Sequence, residues 1–332
     1  MKKVLVIGCN SFSGSNFVSF LLDKNYKVYG VSRTSKINKI YLKYKKNENL
    51  KNFFFYKINL NKQQDLSKIV TLIKKLKISY IVNFAAQGMV NESWEFPLDW
   101  YKTNVMSSVE LVEKIKKFKF IKKFLQISTP EVYGDKRGVI NENSNFQPST
   151  PYAVSRAAFD FHLLNLQKNF NFPVVISRAA NVYGPGQALY RIIPKTIIYL
   201  NKKKKIILDG LGSTLRSFIY IDEVVEAYYL ILKKGKNGNT YIVSDNKFIT
   251  IKKLVEKIAH MKKKNFNRCV VLKEKDRVGK DKMYKISNHK LKTQIKFKFK
   301  INLKKGLKIV DKWIANNINS IKKEKTSYTH KK

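Results

Sequence analysis

Short runs of apolar, β-branched and aromatic residues alternate with longer amphipathic stretches through the first half of the chain. The runs KVLVIG, YKVYGVS, FFFYKIN, SYIVNFAA, KKFLQIS and FPVVISRA are typical of strands. Between them lie stretches with helical spacing, such as KQQDLSKIVTLIKKL and PYAVSRAAFDFHLLNLQKNF. This alternation predicts βαβ units, and the continuous apolar character of the strands predicts a parallel sheet covered by helices on both faces.

The pattern loosens after about residue 181, where connections rich in glycine, proline and lysine separate shorter elements. Helical spacing returns at IDEVVEAYYLILKK and TIKKLVEKIAHM. We predict an α/β protein: a Rossmann-type doubly wound parallel sheet with a smaller C-terminal α/β region. The first domain is predicted to span 1–180 with a return segment near 217–243, the second region 181–216 and 244–318, and a basic flexible tail 319–332.

The chain is strongly basic, with a formal net charge of +44. Alone, such a charge indicates nucleic acid or an anionic membrane surface. The lysines are spread along the whole chain, however, which is typical of a coding bias and of solvated faces, so we expect no nucleic-acid partner. Only eight of the 67 basic residues are arginines, and those that merit individual attention for their fork of donors are Arg33, Arg156, Arg178, Arg191, Arg216 and Arg277.

The composition excludes several other classes of protein. With 332 residues, 44% of them hydrophobic, the chain can bury a substantial core. No run of about 18 apolar residues predicts a membrane span, and the N-terminus MKKVLVIGCN has no cleavage site typical of a signal peptide. Cys9 and Cys269 form neither a disulfide framework nor a paired metal motif. We therefore expect a cytoplasmic protein without a membrane partner or a metal site.

A glycine-containing turn, GCNSFSG, follows the first predicted strand and precedes a helix. Such a turn lets backbone amides approach a pyrophosphate at the helix N-terminus. The middle glycine of the usual pattern is replaced by Ser11, and a plain tight βα turn is the simpler alternative. Its place at the first βα crossing favours a dinucleotide site, with the candidate contacts Gly8, Ser11, Phe12, Ser13 and Gly14.

The ends of the next strands offer further cofactor contacts. The second strand ends in YGVSRTS without the acid that commonly holds the adenosine ribose of NAD. Arg33 could instead bind a 2′-phosphate, so NAD or NADP is predicted, with NADP slightly favoured. The third strand ends in INLN and the fourth in NFAAQ, where small residues would let a dinucleotide lie against the backbone. The candidates there are Asn59, Leu60, Ala85, Ala86 and Gln87.

Candidate catalytic residues follow the fifth strand, in STPEVYGD and YAVSR. Thr129 and Glu131 lie at a carboxyl strand end, where open α/β sheets place ligands. Tyr152 and Arg156 share one helix face, because residues four apart are neighbours there. A tyrosine with an ordinary pKa near 10 needs such a positive charge to act as a base at neutral pH, and a glutamate suits a proton beside a carbonyl.

With these motifs the chain resembles an extended short-chain dehydrogenase/reductase, of the nucleotide-sugar 4,6-dehydratase type that acts on dTDP-glucose or GDP-mannose. The resemblance covers about residues 3–316. It is carried by GCNSFSG, NFAAQ, YKTNV, STPEVYGD, YAVSR, RAANVYGPGQ, RSFIYIDEV and DRVGKDKMY. It implies that the first domain binds NAD(P) and that the second region binds a nucleotide sugar.

The resemblance also implies the residue roles. Tyr152, beside Thr129, would take the proton of the sugar 4-hydroxyl while hydride leaves C4, and Arg156 would hold the nicotinamide ribose. Glu131 would remove the C5 proton, water would leave from C6 and hydride would return there, giving a 4-keto-6-deoxy sugar. The residues implied to meet the substrate are Thr129, Asn181, Lys195, Arg216 and Arg277. A homodimer through helices near 101–118 and 150–169 is implied as well.

Three positions depart from the family pattern. Arg156 stands where lysine is usual; it keeps the charge and cannot deprotonate. Pro130 stands where the dTDP-glucose enzymes have an aspartate that protonates the leaving hydroxyl, and it can donate nothing. Ser11 is the milder departure in the glycine turn. Three alternatives therefore stay open: a related nucleotide-sugar epimerase, a related decarboxylase, or a non-catalytic relative that binds RNA or a sugar nucleotide.

Overall fold

The structure is a computed structural model, and it describes residues 1–136, 138–276, 279 and 285–330. The strands are β1 (Lys3–Ile7), β2 (Lys27–Ser32), β3 (Phe53–Lys57), β4 (Tyr80–Asn83), β5 (Lys123–Ser128), β6 (Val139–Ile140), β7 (Val174–Ala179), β8 (Asn181–Tyr183), β9 (Ile206–Asp209), β10 (Leu215–Arg216), β11 (Phe218–Tyr220), β12 (Thr240–Val243), β13 (Ile249–Thr250), β14 (Val270–Lys273) and β15 (Lys285–Ile286).

The helices are α1 (Phe12–Asp23), α2 (Gln63–Leu76), α3 (Pro97–Tyr101), α4 (Ser107–Ile115), α5 (Pro151–Phe170), α6 (Ile192–Asn201), α7 (Ile221–Lys234), α8 (Ile251–Met261), α9 (Phe266–Cys269), α10 (Leu303–Asn316) and α11 (Ile318–Lys322). Short 3-10 segments lie at Lys39–Tyr41, Lys43–Lys46, Leu50–Asn52, Asn91–Ser93, Pro130–Tyr133 and Gly210–Gly212. Single π turns lie at Lys102–Met106 and Leu291–Ile295.

Seven strands form one parallel sheet in the order β12-β7-β5-β4-β1-β2-β3. Alternate residues of β1 face opposite sides of this sheet. Val4 and Val6 belong to the core that holds α1 and α7, whereas Leu5 and Ile7 belong to the core that holds α2, α4 and α5. The predicted α/β fold, with a parallel sheet buried on both faces, is confirmed.

Side-chain caps set where the two helices nearest the site begin. The Ser11 hydroxyl accepts a hydrogen bond from the Gly14 amide and caps α1. The Thr150 hydroxyl accepts one from the Ala153 amide and caps α5, which begins at Pro151. These caps fix the first turns of both helices at the carboxyl edge of the sheet.

The chain after β7 leaves the large sheet and returns to it at β12, beside β7. In between and afterwards, four two-stranded pairs form: β8 with β11, β9 with β14 and β6 with β15 in parallel, and β10 with β13 antiparallel. Helices α6, α8 and α10 pack together in this second region. The second region therefore lies interleaved in sequence with the sheet.

The C-terminal tail makes contacts with segments that lie far away in sequence. Helix α11 lies at its start, and the Asn38 side-chain amide donates to Glu324 at 2.9 Å. Further on, a His330 ring nitrogen lies 2.7 Å from Asp99. The basic composition of this segment does not reveal these contacts.

Within the described part of the chain, each helix is too short or too polar to cross a membrane. The described residues also contain no group of three or more histidine, cysteine, aspartate or glutamate side chains placed to hold a metal ion.

Candidate active site

The turn between β1 and α1 leaves no room for side chains at its glycines. Gly8 has a φ of +78°, and a Cβ there would lie 2.8 Å from the Ala85 backbone nitrogen. A Cβ on Gly14 would collide with the Gly8 carbonyl oxygen. Ser11, in the place of the middle glycine, caps the helix, so its substitution fits the turn. The free amides of the first turn of α1 therefore face an open cleft where an anion can bind.

This cleft lies at the carboxyl ends of β1, β2, β3 and β4, and we call it the dinucleotide cleft. Predicted residues that line it are Gly8, Ser11, Arg33, Asn59, Leu60, Ala85, Ala86 and Gln87. Phe12, Ser13 and Gly14 follow in the first turn of α1. Sequence reasoning missed further lining residues: Ile7, Asn10, Val31, Ser32, Thr34, Ile37, Ile58, Asn61, Phe84 and Thr103.

Four of the missed polar residues form two pairs that shape the cleft wall. The Asn10 amide donates to the Thr34 carbonyl at 2.7 Å and links the glycine turn to the end of β2. The Asn61 amide donates to the Thr103 hydroxyl at 2.9 Å. These hydrogen bonds join the segments that follow the strands to one another. The only signal in the sequence for these residues is that each lies in such a segment.

Asn104, within the YKTNV motif, connects the cofactor side of the site to the catalytic helix. It is fully buried in the π turn; its Oδ1 accepts from the Gln87 amide at 2.8 Å and its Nδ2 donates to the Gln87 carbonyl at 3.1 Å. The same Nδ2 donates to the Ser155 hydroxyl of α5 at 2.9 Å. The residue was not among the predicted site residues, although an asparagine in an amphipathic helix is a usable signal.

Thr129 and Glu131 lie where β5 ends. Thr129 is buried, and its hydroxyl accepts from the Glu131 amide at 3.3 Å, which caps the 3-10 segment Pro130–Tyr133. Pro130 is the first residue of that segment, a position where a missing N–H costs nothing. The proline thereby helps to fix the backbone between the two candidate catalytic side chains.

Tyr152 meets both of them from the first turn of α5. The Thr129 hydroxyl donates a hydrogen bond to the Tyr152 side-chain oxygen, and the Glu131 carboxylate is close enough to act on it. Burial raises the pKa of Tyr152 above its usual value of 10, and Glu131 raises it further. The positive charges of Arg156 and Arg191 and the Thr129 hydrogen bond act in the opposite direction. The structure thus brings Thr129, Glu131, Tyr152 and Arg156 together.

Arg156 is buried, with 3% of its surface exposed, and its guanidinium donates to the Ile127 carbonyl of β5. Its Nε is also buried and has no hydrogen-bond partner among the described residues. A buried cation with an unused donor is costly unless something pairs with it. Arg156 is therefore suited to a polar ligand, such as ribose hydroxyls, at this edge of the site.

In Arg178, by contrast, all three guanidinium nitrogens have hydrogen-bond partners within the protein. It donates to Asp160 through Nε at 3.2 Å and through Nη2 at 2.8 Å, and through Nη1 to the Tyr133 hydroxyl. The Ser128 hydroxyl also donates to Asp160, at 2.7 Å. This arginine holds α5 against β7 and reaches no ligand.

The predicted substrate residues lie in separate elements of the second region. Asn181 begins β8, Lys195 lies in α6 and Arg216 ends β10, and all three are half-buried. Arg277 lies outside the described residues. Arg191, the cap residue of α6, was singled out as an arginine but was not among the predicted substrate contacts. Its charge reaches Tyr152, so it belongs to the candidate site.

The parallel sheet, the glycine turn and the helix that carries Tyr152 and Arg156 define the class of this protein: an extended short-chain dehydrogenase/reductase. The family model for GDP-mannose 4,6 dehydratase matches residues 5–310, and the chain belongs to that family. The resemblance found in the sequence motifs is confirmed.

Individual relatives agree with this placement. The chain is 32% identical to dTDP-D-glucose 4,6-dehydratase of Dictyostelium discoideum over 278 residues, which are 79% of this chain and span 62% of that protein. It is 31% identical to the human protein of the same name over 329 residues, 97% of this chain and 92% of the human one. The crystal structure of dTDP-glucose 4,6-dehydratase from Bacillus anthracis in complex with NAD covers 96% of this chain and 98% of its own, with 29% identity and a TM-score of 0.85.

Proposed function

We propose that the protein is a nucleotide-diphosphate-hexose 4,6-dehydratase, similar to dTDP-glucose 4,6-dehydratase. The observation that carries this proposal is the convergence of Thr129, Glu131 and Arg156 on Tyr152 at the carboxyl edge of the sheet. That arrangement combines a base for a hydroxyl proton with a second base for a proton beside a ketone. The product would be a 4-keto-6-deoxy sugar nucleotide.

The residues of the dinucleotide cleft fit an NAD-type cofactor. The glycine turn has the space that a pyrophosphate needs, and the unused Arg156 Nε suits the nicotinamide ribose. A bound NAD(P) would supply the hydride chemistry of the reaction, as acceptor at C4 and as donor at C6. NAD is the cofactor of the similar Bacillus anthracis structure, and Arg33 at the acid-free end of β2 lets this chain accept NADP as well.

In the first step, Tyr152 removes the proton of the sugar 4-hydroxyl. Arg156 stabilises the phenolate, and Thr129 orients it through the hydrogen bond between the two side chains. Because burial raises the pKa of Tyr152, the positive charges at this site decide how much phenolate is present at neutral pH. Arg156 is therefore a catalytic residue in this account.

In the second step, Glu131 removes the C5 proton, which the C4 ketone has made acidic. The C6–O bond breaks, and the leaving hydroxide needs a proton to depart as water. Pro130 can donate none, so we assign the delivery of that proton to Glu131, which has just captured one. When hydride returns to C6, C5 takes up a proton, which balances the proton that Tyr152 removed from the 4-hydroxyl. We assign the binding of the diphosphate and the nucleotide to Asn181, Lys195, Arg216 and Arg277. Arg191 is added to this set because its charge reaches Tyr152.

An epimerase of the same family is the second candidate, and Pro130 is the observation that favours it. An epimerase needs Thr129 and Tyr152 but has no obligatory use for an acid at position 130. Glu131, whose charge acts on Tyr152, has no obligatory role in that reaction. This favours dehydration over epimerisation.

The test is mass spectrometry of the products from dTDP-, CDP-, UDP- and GDP-hexoses with NAD or NADP. We expect one of these substrates to lose one water. The variant Glu131→Gln should lower the dehydration rate by about a hundredfold or more while C4 oxidation continues. A variant that dehydrates at the normal rate would remove Glu131 from the mechanism, and an unchanged mass with all four hexoses would contradict the dehydratase.

We also propose a homodimer through the face formed by the segment from α3 to α4 and by α5. Val154, Ala158 and Phe161 form an exposed stripe along α5, and Leu98 and Met106 are 77% and 68% exposed on the neighbouring segment. Phe161→Asp should convert a dimer to a monomer in light scattering, whereas His162→Asp should not. A monomer in the unsubstituted chain would contradict this assignment.

For the location we propose the cytoplasm. Cys9 and Cys269 are both free thiols in the structure, and Cys9 is buried in the glycine turn. Free thiols are typical of a reducing compartment.

A further inference from the structure

The last residues of the described chain follow a strict alternation. Glu324, Thr326, Tyr328 and His330 are half-buried, whereas Lys325, Ser327 and Thr329 between them are exposed. Residues 324–330, which we call the C-terminal strap, therefore lie on the protein with alternate side chains docked against it.

On the cofactor half, the strap contacts two segments beside the dinucleotide cleft. Glu324 accepts from Asn38 at 2.9 Å, and it also hydrogen-bonds with Tyr41, in the loop that follows Arg33 and Ile37. At the other end, the His330 ring stacks on Phe96 at 4.6 Å and lies 2.7 Å from Asp99.

The His330 end of the strap is packed on both sides. A second ring, Trp100, stacks on His330 at 5.2 Å with an interplanar angle of 16°. Trp100 precedes the π turn that contains Thr103, which lines the dinucleotide cleft. Both ends of the strap are thus attached to segments that adjoin residues of the cleft wall.

On the substrate half, the middle of the strap contacts α6 and the residues before it. The Tyr328 ring packs edge-on against Tyr190 at 5.3 Å, and Thr326 lies 3.5 Å from the Tyr199 hydroxyl. The charges of Arg33 and Arg191 both reach Tyr328. Tyr328 therefore lies within electrostatic reach of Arg33, a predicted cofactor-binding residue, and of Arg191, whose charge also acts on Tyr152.

The strap joins segments around the cleft without filling it. The residues that line the dinucleotide cleft in the described chain lie between Ile7 and Thr103, and none of them belongs to the strap. A dinucleotide can therefore occupy the cleft while the strap stays docked beside it.

We propose that the C-terminal strap covers the bound dinucleotide and slows its release. The inference rests on the proposed function, because in that reaction the cofactor is regenerated within each turnover and never has to leave. A cover that ties the loop after β2, the segment at α3 and the start of α6 together would keep the cofactor in place without slowing the chemistry.

The test compares two double variants of the full chain. Tyr328→Ala with His330→Ala removes docked side chains, and Ser327→Ala with Thr329→Ala removes exposed ones from the same segment. Each protein is loaded with NADH or NADPH and mixed with an excess of the oxidised form, and the loss of bound-cofactor fluorescence gives the release rate. We expect release about tenfold faster in the first variant and unchanged in the second, because two aromatic contacts are lost.

Equal release rates in the two variants would overturn the proposed role of the strap while leaving the proposed function intact. An unsubstituted chain that binds neither dinucleotide would instead contradict the proposed cofactor. Trypsin provides a readout that does not depend on the cofactor: cleavage after Lys325 should be faster in the first variant than in the second. Equal cleavage would show that the docked side chains do not hold the strap, which would also overturn the proposal.

Discussion

Arg178 contacts helix α5 from β7, Arg156 belongs to that helix, and both are almost completely buried, with 1% and 3% of their surface exposed. Around Arg178, at the middle of α5, the carboxylate of Asp160 and the hydroxyl of Tyr133 use all three nitrogens of the guanidinium. Around Arg156, at the first turns of α5, the partner is the Ile127 carbonyl, and Nε is left unused within the described residues. The difference indicates that one arginine stabilises the fold and that the other is held ready for a ligand.

The largest expected effect comes from the same substitution made at both positions. Arg178→Met leaves the buried Asp160 carboxylate without its counter-charge, and it should lower the free energy of unfolding by about 3–5 kcal/mol. Arg156→Met removes a buried cation that has no carboxylate partner of its own, so it should change stability by less than about 1 kcal/mol. Denaturant unfolding of the two variants measures both values. Equal losses of stability would remove the distinction between the two arginines.

The next prediction concerns turnover and its pH dependence. Arg156 lowers the pKa of Tyr152 against the effect of burial, so its loss raises that pKa. Because the phenolate is the active form, the rise of kcat/KM with pH should move to higher pH in Arg156→Met. Turnover at neutral pH should fall by about a hundredfold.

Arg156→Lys is the matched control for this prediction, since it keeps the positive charge. We expect it to retain turnover within about tenfold of the original chain and to restore the pH profile. A pH profile that is the same in Arg156→Met as in the original chain would show that Arg156 does not act on Tyr152.

The smallest effect is expected at Arg33, an arginine at the rim of the dinucleotide cleft. Arg33→Gln should weaken NADP binding by about tenfold or more, because a charged hydrogen-bond pair with the 2′-phosphate is lost. NAD binding should change much less, so calorimetry with both dinucleotides separates the two cases. Equal losses for NAD and NADP would mean that Arg33 does not contact the 2′-phosphate.

The helices and strands could be predicted because their buried apolar residues recur at regular spacings along the sequence. The run IDEVVEAYYLILKK corresponds residue for residue to α7, and KVLVIG contains β1. The segment 39–52 forms three short 3-10 segments instead, which depend on local hydrogen bonds and carry no hydrophobic periodicity.

The candidate site was predictable where it follows strand ends, as at Thr129 and Ala85. The partners of a residue were not predictable where they lie far away in sequence. Asn104 could have been noticed as an asparagine in an amphipathic helix, but its partners Gln87 and Ser155 are 17 and 51 positions away, and no local pattern indicates them. The contacts of the strap are a further example, because its basic composition does not indicate which distant residues it meets.

We infer that the residues around Tyr152 dehydrate a nucleotide hexose through transient oxidation at C4. The most direct measurement uses a nucleotide hexose with deuterium at C4 and follows the label by mass spectrometry and NMR. We predict a product that has lost one water and carries the deuterium at C6. A product of unchanged elemental composition with the deuterium still at C4 would contradict dehydration and identify an epimerase.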